Sequence, residues 1–302
     1  MTLNIITIYL LDMKKSYLTI FALIPAIIWG YSFIATKYAV MYIKPATLGF
    51  LRFLISYIIL EFLVFIRKEN CKVVLKDKVL FSLMGFFGIT FYFLGENFGL
   101  KYTSSSNGAL IVSTIPIFTL LVDKIVYRKK ISYILTLGIM LSFIGIYILL
   151  FGFSLIKNVN VKGDLVMFIP VISWVIYTYI SKMKSSKYSI FFITKEMTFY
   201  GSIFFIPFIF FERGSFCIFK LNAPTILSVL YLGIVCSSLA YILWNKALKE
   251  FDEKIVNSFI YTIPIFTITG EILLLRTFPK INFYIALVLV ITGLILTNFS
   301  ND

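Results

Sequence analysis

Two prolines in this sequence lie in the middle of apolar stretches and share the same neighbours. Pro116 and Pro264 each occupy the third position of the run Thr-Ile-Pro-Ile-Phe-Thr. A proline inside a helix removes one backbone hydrogen bond and frees the carbonyl group four residues earlier. In an apolar environment such a carbonyl must meet protein or water. The pair predicts either a binding site or two structural kinks. The binding interpretation takes polar atoms from the residues around each proline, namely Ser113, Thr114, Tyr261 and Thr262.

Two carboxylic acids, Asp123 and Glu271, follow these prolines by seven residues. Seven residues are two helical turns, so each acid shares a helix face with its proline. One interpretation is gating by protonation, since a carboxylate in a low-dielectric site can take up and release a proton. The other is an interfacial carboxylate paired with a nearby basic residue. Glu96 and Glu196 are further candidates for coupling, although both lie near the ends of apolar stretches, where structural pairing is the simpler interpretation.

Arg52 lies about six residues inside an apolar stretch. A charge within a membrane-spanning helix costs ~2.5–3.5 kcal/mol on insertion scales, so it usually has a partner or a function. Three interpretations stay open for Arg52: binding a substrate carboxylate, pairing with an acid such as Glu196, or reaching back to the membrane interface.

Aromatic residues form another candidate group, because several lie well inside apolar stretches rather than at their ends. They can stack on a bound molecule, or they can simply pack, as 18% aromatic content favours. The candidates are Trp29, Tyr31, Trp174, Tyr177 and Tyr179.

The elements that must position these residues are membrane-spanning helices. The composition is 60% hydrophobic and only 14% charged, whereas soluble domains are about 25% charged. Apolar runs of about 20 residues, the length that crosses a bilayer as a helix, recur along the whole chain. The alternating pattern of a membrane β-barrel is not seen. The sequence predicts an all-α integral membrane protein with ten spans at Leu18–Thr36, Thr47–Ile66, Val79–Phe98, Asn107–Val126, Tyr133–Phe153, Asp164–Ile180, Ile190–Phe211, Ile226–Trp244, Ile255–Leu275 and Phe283–Phe299.

The two proline runs belong to an internal repeat. They are 148 residues apart, and an Ile-Pro-x-Ile-x-Trp pattern ending at Trp29 recurs 145 residues later at Trp174. The same register aligns Asn97 with Asn245, which makes these amides candidate binding residues. The predicted units are residues 14–153 and 160–300, with five helices each. Because five is odd, the second unit must be inverted in the membrane, an arrangement that secondary transporters use for alternating access.

The basic residues indicate topology rather than nucleic-acid binding. The net charge is +14, but the basic residues lie in short loops between spans. Seventeen of the 28 fall on one side and nine on the other, and the richer side is normally cytoplasmic. The prediction is a multi-pass plasma-membrane protein with both termini in the cytoplasm.

Metal and catalytic chemistry find no support in the sequence. The chain has no histidine and three cysteines at separated positions, Cys71, Cys217 and Cys236. No disulfide, metal site or cofactor is therefore expected. There is no phosphate-binding glycine loop or nucleophile elbow, so an enzyme is not predicted. Met13 resembles an alternative start, and no function is assigned to residues 1–12.

Several segments resemble the EamA family of the drug/metabolite transporter superfamily. Residues 29–37, Trp-Gly-Tyr-Ser-Phe-Ile-Ala-Thr-Lys, resemble the first-helix signature of that family, and Leu51-Arg52-Phe53 resembles its second-helix arginine. Residues 239–248, Leu-Ala-Tyr-Ile-Leu-Trp-Asn-Lys-Ala-Leu, resemble its eighth helix, and the Pro116 and Pro264 segments resemble its fourth and ninth. The resemblance covers nearly the whole chain.

This resemblance implies ten helices around a central cavity, lined mainly by helices other than the fifth and tenth. It also implies transport, often export, of amino acids or other small metabolites. The family commonly has a glutamate about thirteen residues beyond each proline, where this chain has Lys129 and Thr277. The role of that glutamate therefore does not carry over.

The leading hypothesis is a secondary carrier that exports small polar metabolites, with the bilayer as its environment and a proton as a candidate coupling ion. One alternative is a proton-coupled drug or cation efflux carrier like the small multidrug-resistance proteins. Such a carrier would require a buried carboxylate in the first span, and Leu18–Thr36 contains none. Another is a non-transporting scaffold, which would be expected to carry an appended soluble domain. The sequence leaves the substrate, the direction and the oligomeric state open.

The predicted topology can be tested by cysteine labelling. Cysteines introduced at Asn160 and Ser185, in a chain whose native cysteines are replaced by serine, are placed on opposite sides of the membrane. An impermeant thiol reagent added to intact cells should label position 160 and not position 185. Labelling at position 185 alone would mean that the topology is inverted.

Overall fold

The computed structural model describes residues 2–69, 72–126, 132–152, 161–182, 187–212, 222–251, 256–257 and 259–299. These residues form helices joined by short connections, with no strand among them. The α-helices, in chain order, are α1 (Thr2–Ala39), α2 (Pro45–Ile66), α3 (Leu75–Gly85), α4 (Tyr92–Tyr102), α5 (Ser105–Val112), α6 (Ile115–Val126), α7 (Tyr133–Phe151), α8 (Lys162–Val166), α9 (Phe168–Lys182), α10 (Ile190–Phe211), α11 (Ala223–Leu230), α12 (Ala240–Glu250), α13 (Ile263–Gly270) and α14 (Ile281–Phe299).

Six stretches are long and apolar enough to cross a membrane. They are Ile20–Ala39, Pro45–Ile66, Leu75–Tyr102, Ser105–Val122, Lys162–Ser181 and Ala223–Glu250. Shorter apolar helices occur at Thr136–Leu149, Phe259–Leu275 and Ile281–Gly293, and α10 carries Lys195 and Glu196 in its first half. The structure therefore establishes a multi-pass helical membrane protein, and the count of ten spans stays a prediction.

Two of the long helices contain a π-helical segment at equivalent positions. Residues Phe86–Phe91 join α3 to α4, and Tyr231–Leu239 join α11 to α12. The second segment overlaps the first when the chain is shifted by 148 residues, the register of the proline runs. A π-helical turn leaves backbone groups without their usual partners, so such segments often mark functional sites.

Hydroxyl groups inside both segments restore part of the backbone bonding. Thr90 donates to the Gly201 carbonyl of α10 at 2.8 Å. Ser238, the equivalent residue in the second segment, donates to the Gly233 carbonyl at 3.0 Å and contacts Ser56 of α2 at the same distance. Each half thus bonds its π-helical segment to a long helix of the other half.

The close approach of these helices depends on glycine. A methyl group added at Gly85 would lie 2.6 Å from the Met197 carbonyl oxygen, and one added at Gly233 would lie 2.8 Å from the Ile55 side chain. Gly85 and Gly233 are again 148 residues apart. The two crossings, α3 on α10 and the second π-helical segment on α2, therefore use the same small residue.

The helices α2 and α10 run side by side, and a glutamate beyond the end of each bonds to the start of the other. Glu212, directly after α10, accepts hydrogen bonds from the Ala46 and Thr47 backbone amides at 2.7 and 3.0 Å. At the opposite end, Glu69 accepts a hydrogen bond from Ser189, the N-cap residue of α10. A carboxylate satisfies free amides at a helix N-terminus and interacts favourably with the helix dipole.

The Gly233 crossing generates a stability prediction. Gly233→Val should lower the free energy of unfolding by about 1–3 kcal/mol, because the added carbons must push α2 away. Ile234→Val is the matched control, since the Ile234 side chain is 45% exposed. The measurement is thermal unfolding of the purified protein in detergent. Equal stability of the two variants would contradict the proposed packing.

Candidate functional site

A small cavity lies between the two halves of the molecule. The volume open to the centre of a water molecule is about 20 Å³, and one water needs roughly 10–15 Å³ by that measure. The cavity therefore has room for about one water molecule. The lining residues are Trp29, Ser32, Phe33, Tyr92, Phe93, Glu96, Val112, Ile115, Trp174, Tyr241, Ile260 and Ile263.

Both proline-containing stretches reach the cavity through the residues that precede each proline. Ile115 and Ile263 line it, as do Val112 and Ile260, the residues four positions before the prolines. Pro116 and Pro264 themselves are not part of this lining. The cavity wall therefore contains equivalent residues of the two repeats, 148 positions apart.

The prolines break their helices rather than bend them, which corrects the expectation of prolines inside continuous spans. α5 ends at Val112, and α6 begins at Ile115 with Pro116 second. In the other half a 3₁₀ turn, Phe259–Thr262, precedes α13, which has Pro264 in second place. Proline is favoured in the first turn of a helix because that turn has no partner for its amide.

The threonines before the prolines bond to the backbone in this conformation. Thr114 donates to the Ile111 carbonyl at 2.6 Å, and Thr262 donates to the Phe259 carbonyl at 2.7 Å. These two bonds are equivalent in the repeats. Both hydroxyls satisfy carbonyls at the helix breaks, so a role in binding would require them to exchange partners.

Arg52 is completely buried and pairs with Glu96. Its Nη1 atom lies 3.8 Å from Glu96 Oε1, and its Nε donates to Ser237 Oγ at 3.0 Å. The guanidinium carbon lies 4.1 Å from the centroid of the Phe93 ring. Among the residues that the structure describes, neither terminal nitrogen of Arg52 makes a hydrogen bond, and Glu96 Oε1 makes none. Sequence analysis offered Glu196 as an example of a partner for Arg52, whereas the structure pairs Arg52 with Glu96.

Glu96 is the charged member of the cavity lining. Its side chain is 3% exposed, while Arg52 stands behind it, outside the lining. Glu96 lies six residues before the end of the helical stretch Leu75–Tyr102, and its side chain is buried there.

All three tryptophans of the chain meet beside the cavity. The Trp29 ring centroid lies 5.8 Å from that of Trp174 and 5.0 Å from that of Trp244. Tyr241 and Tyr92 extend this group, with centroids 5.7 Å from Trp29 and 5.3 Å from Trp174 respectively.

Aromatic groups of this cluster also satisfy π-helical carbonyls of the opposite half. Trp29 Nε1 donates to the Cys236 carbonyl at 3.2 Å, and the Tyr241 hydroxyl donates to the Gly88 carbonyl at 3.0 Å. Cys236 and Gly88 are equivalent positions, 148 residues apart. These aromatic side chains therefore both pack against one another and donate hydrogen bonds to the backbone of the opposite half.

The two asparagines bond to the framework. Asn97 Nδ2 donates to the Pro45 carbonyl at 2.9 Å. Asn245 accepts from the Tyr177 hydroxyl and donates to Thr194 Oγ1, both at 3.1 Å. Neither amide lines the cavity, and neither does Tyr177.

Tyr31 and Tyr261 also lie outside the cavity lining. The Tyr31 ring lies against Gly270, where α1 and α13 cross closely. Tyr261 lies in the 3₁₀ turn before α13 and is partly buried. Both tyrosines therefore stay predictions as binding residues.

Glu271 and Glu196 lie outside the cavity lining. Glu271 accepts hydrogen bonds from the Ser106 backbone amide, at 3.1 Å, and from the Ser106 hydroxyl, and so caps α5. Glu196 pairs with Lys195 at 2.9 Å. The Asp123 side chain lies outside the described residues, so its pairing with Lys124 or Arg128 stays a prediction.

Sequence analysis missed Tyr92, Phe93 and Tyr241 as lining residues. Tyr92 and Glu96 are four residues apart, a spacing that places both on one helix face. Tyr241 lies in the eighth-helix segment noted above. The four-residue spacing and the position in the eighth-helix segment are both visible in the sequence, but many other aromatic residues have similar spacings or lie in similar segments.

Comparison with known proteins agrees with this architecture. The profile described as the EamA-like transporter family matches residues 17–151 and again residues 161–299. The chain belongs to the EamA-like transporter family. The two matches correspond to one copy of the family unit in each half.

Relatives of this EamA-like transporter family member carry the name uncharacterized transporter. One from Archaeoglobus fulgidus is 28% identical over 276 residues, covering 90% of this chain and 93% of that protein. One from Clostridium kluyveri is 26% identical over 298 residues, covering 96% of this chain and 94% of that protein. YetK of Bacillus subtilis is 27% identical over 255 residues, covering 82% and 76%. These names and the family indicate a membrane transporter.

A solved crystal structure, titled only as that of a protein, shares the fold of this EamA-like chain. The TM-score is 0.69 over 93% of this chain and 98% of the other, at 16% sequence identity. At that identity the likeness concerns the fold alone.

The Arg52–Glu96 pair generates the third prediction. Arg52→Met should lower the free energy of unfolding by about 3–5 kcal/mol, because it leaves a buried carboxylate without its counter-charge. The double variant Arg52→Met/Glu96→Leu should recover most of that loss, since it removes both buried charges. Unfolding in detergent by titration with a denaturing surfactant gives the comparison.

Arg67→Met is the control for this series. Arg67 also pairs with a glutamate, Glu69, at 2.7 Å, but its side chain is 52% exposed, and exposed pairs contribute about 0–1 kcal/mol. If the double variant is no more stable than Arg52→Met alone, the loss of stability does not come from leaving the Glu96 carboxylate without its counter-charge.

Proposed function

We propose that this chain is a secondary transporter of the plasma membrane that carries small polar metabolites, including amino acids and related compounds, by alternating access between its two halves. The observation that supports this proposal is the position of the cavity. It lies between the halves, and equivalent residues beside both helix breaks line it. Broken helices at a repeat interface are where secondary transporters bind their substrates.

The small volume of the cavity fits an occluded conformation in this scheme. Hydrogen bonds join the two halves at both ends of the molecule. At the end where α1 finishes, Glu271 bonds to Ser106 and Asp164 bonds to Thr103. At the opposite end, the Tyr188 hydroxyl donates to Asp77 at 2.6 Å. Opening toward either side would require the bonds at that end to separate.

Glu271 is placed where its charge can influence such opening. It belongs to the second half and caps α5, a helix of the first half, so its charge interacts favourably with the dipole of that helix. A protonated carboxyl group would lose most of this interaction. We propose that Glu271, and Asp123 at the equivalent position, couple protonation to opening, and that transport runs outward.

The test is counterflow in proteoliposomes that contain the full chain. Radiolabelled phenylalanine, threonine, lysine and glutamate are the probes, one at a time. At least one should show saturable counterflow above protein-free vesicles. Absence of counterflow with all four would contradict transport of amino acids.

The same vesicles test proton coupling. Asp123→Asn and Glu271→Gln should each remove the response of net flux to a pH gradient and keep counterflow, because counterflow needs no net proton movement. Glu250→Gln is the matched control, since Glu250 is exposed at the end of α12. Wild-type gradient dependence in both variants would return these acids to a structural role.

A further inference from the structure

We propose that the central cavity recognises a protonated amine, with Glu96 as the partner of the ammonium group and the surrounding rings as the walls. This inference deepens the proposed transport function and rests on it for its physiological meaning. It concerns the chemical class of the substrate, which neither the family nor the relatives specify.

The first argument is the charge that the cavity presents. Glu96 is the one charged side chain among the residues that line it. Its Oε1 atom makes no hydrogen bond within the described residues, and it lies 3.8 Å from Arg52 Nη1, beyond hydrogen-bond distance. A buried carboxylate oxygen without a donor is costly. An N–H group of a bound ammonium would supply that donor.

The second argument is the position of Arg52. A site for a carboxylate or phosphate would present the guanidinium group to the ligand. Here Arg52 is fully buried, is absent from the cavity lining and lies against the Phe93 ring, 4.1 Å from its centroid. Arg52 lies behind Glu96, so a molecule in the cavity meets the carboxylate first. An anionic ligand would face Glu96 before it could reach Arg52.

The third argument is the aromatic wall. Trp29, Phe33, Tyr92, Phe93, Trp174 and Tyr241 all line the cavity. The faces of such rings attract cations, and tryptophan attracts them most strongly. Rings also accept an apolar body next to the ammonium group. Carboxylate and rings together select an amine over a neutral or acidic molecule of the same shape.

The cluster also supplies the reporter for a binding test. Trp29 and Trp174 line the cavity, and Trp244 packs against Trp29, so all three tryptophans of the chain report on it. The experiment titrates the purified full chain in detergent and follows tryptophan fluorescence. The probes are phenethylamine, 2-phenylethanol and 3-phenylpropanoate, which differ mainly in the charge of one end.

We expect saturable quenching by phenethylamine, with a half-saturating concentration at least about tenfold lower than for the other two probes, a difference of ~1.4 kcal/mol. Glu96→Gln should abolish this preference, whereas Glu96→Asp, which keeps the charge, should retain it. Glu61→Gln is the matched control. Glu61 pairs with Lys195 at 3.4 Å and is not part of this lining, so its loss should leave the preference intact.

Three results would overturn the inference: no saturable quenching by phenethylamine, equal or tighter binding of 3-phenylpropanoate, or an unchanged preference in Glu96→Gln. If Glu96→Gln does not fold, the comparison of the three probes on the wild type and on Glu96→Asp still tests the inference. Counterflow without amine preference would leave the transporter proposal standing and remove this one. Amine preference without counterflow would leave this inference standing and remove the transporter proposal.

Discussion

A backbone amide or carbonyl at membrane depth must find its partner inside the protein, because lipid offers none. This constraint accounts for much of the structure. The π-helical segments Phe86–Phe91 and Tyr231–Leu239 leave carbonyls that the opposite half satisfies, at Gly88 through Tyr241 and at Cys236 through Trp29. Acidic residues likewise cap helix starts in the other half, as Glu271 does at Ser106. The bonds that complete the backbone are therefore the bonds that hold the two halves together.

The same constraint explains why the site has its present form. The helix breaks before the prolines require local acceptors and donors, and the threonine hydroxyls supply donors without water. The breaks bring Val112 and Ile260 to the cavity. A cavity between two halves that bond one another at both ends can change its volume only if some of those bonds exchange.

The buried charges follow a related rule. Moving an ion out of water costs several kcal/mol, and a nearby opposite charge offsets part of that cost. Arg52 and Glu96 meet this requirement at 3.8 Å, with Ser237 and the Phe93 ring as additional contacts for the arginine. Because the pair is not hydrogen-bonded, Glu96 Oε1 keeps bonding capacity. That spare capacity carries the inference about the substrate.

The sequence by itself determined the class of the protein, its helical spans in outline and the equivalence of its two halves, because apolar length and repeated motifs are local properties of the chain. It also indicated Trp29, Trp174, Arg52 and the proline segments as a group. The partner of Arg52, the break at Pro116 and the lining role of Tyr92 and Tyr241 were decided only by the tertiary structure. Arg52 had several acids within reach on sequence grounds, and 33 phenylalanines and 19 tyrosines made individual rings indistinguishable. Which of them meet depends on how the helices cross, and those crossings are set by contacts between residues far apart in the chain, such as Gly233 with Ile55.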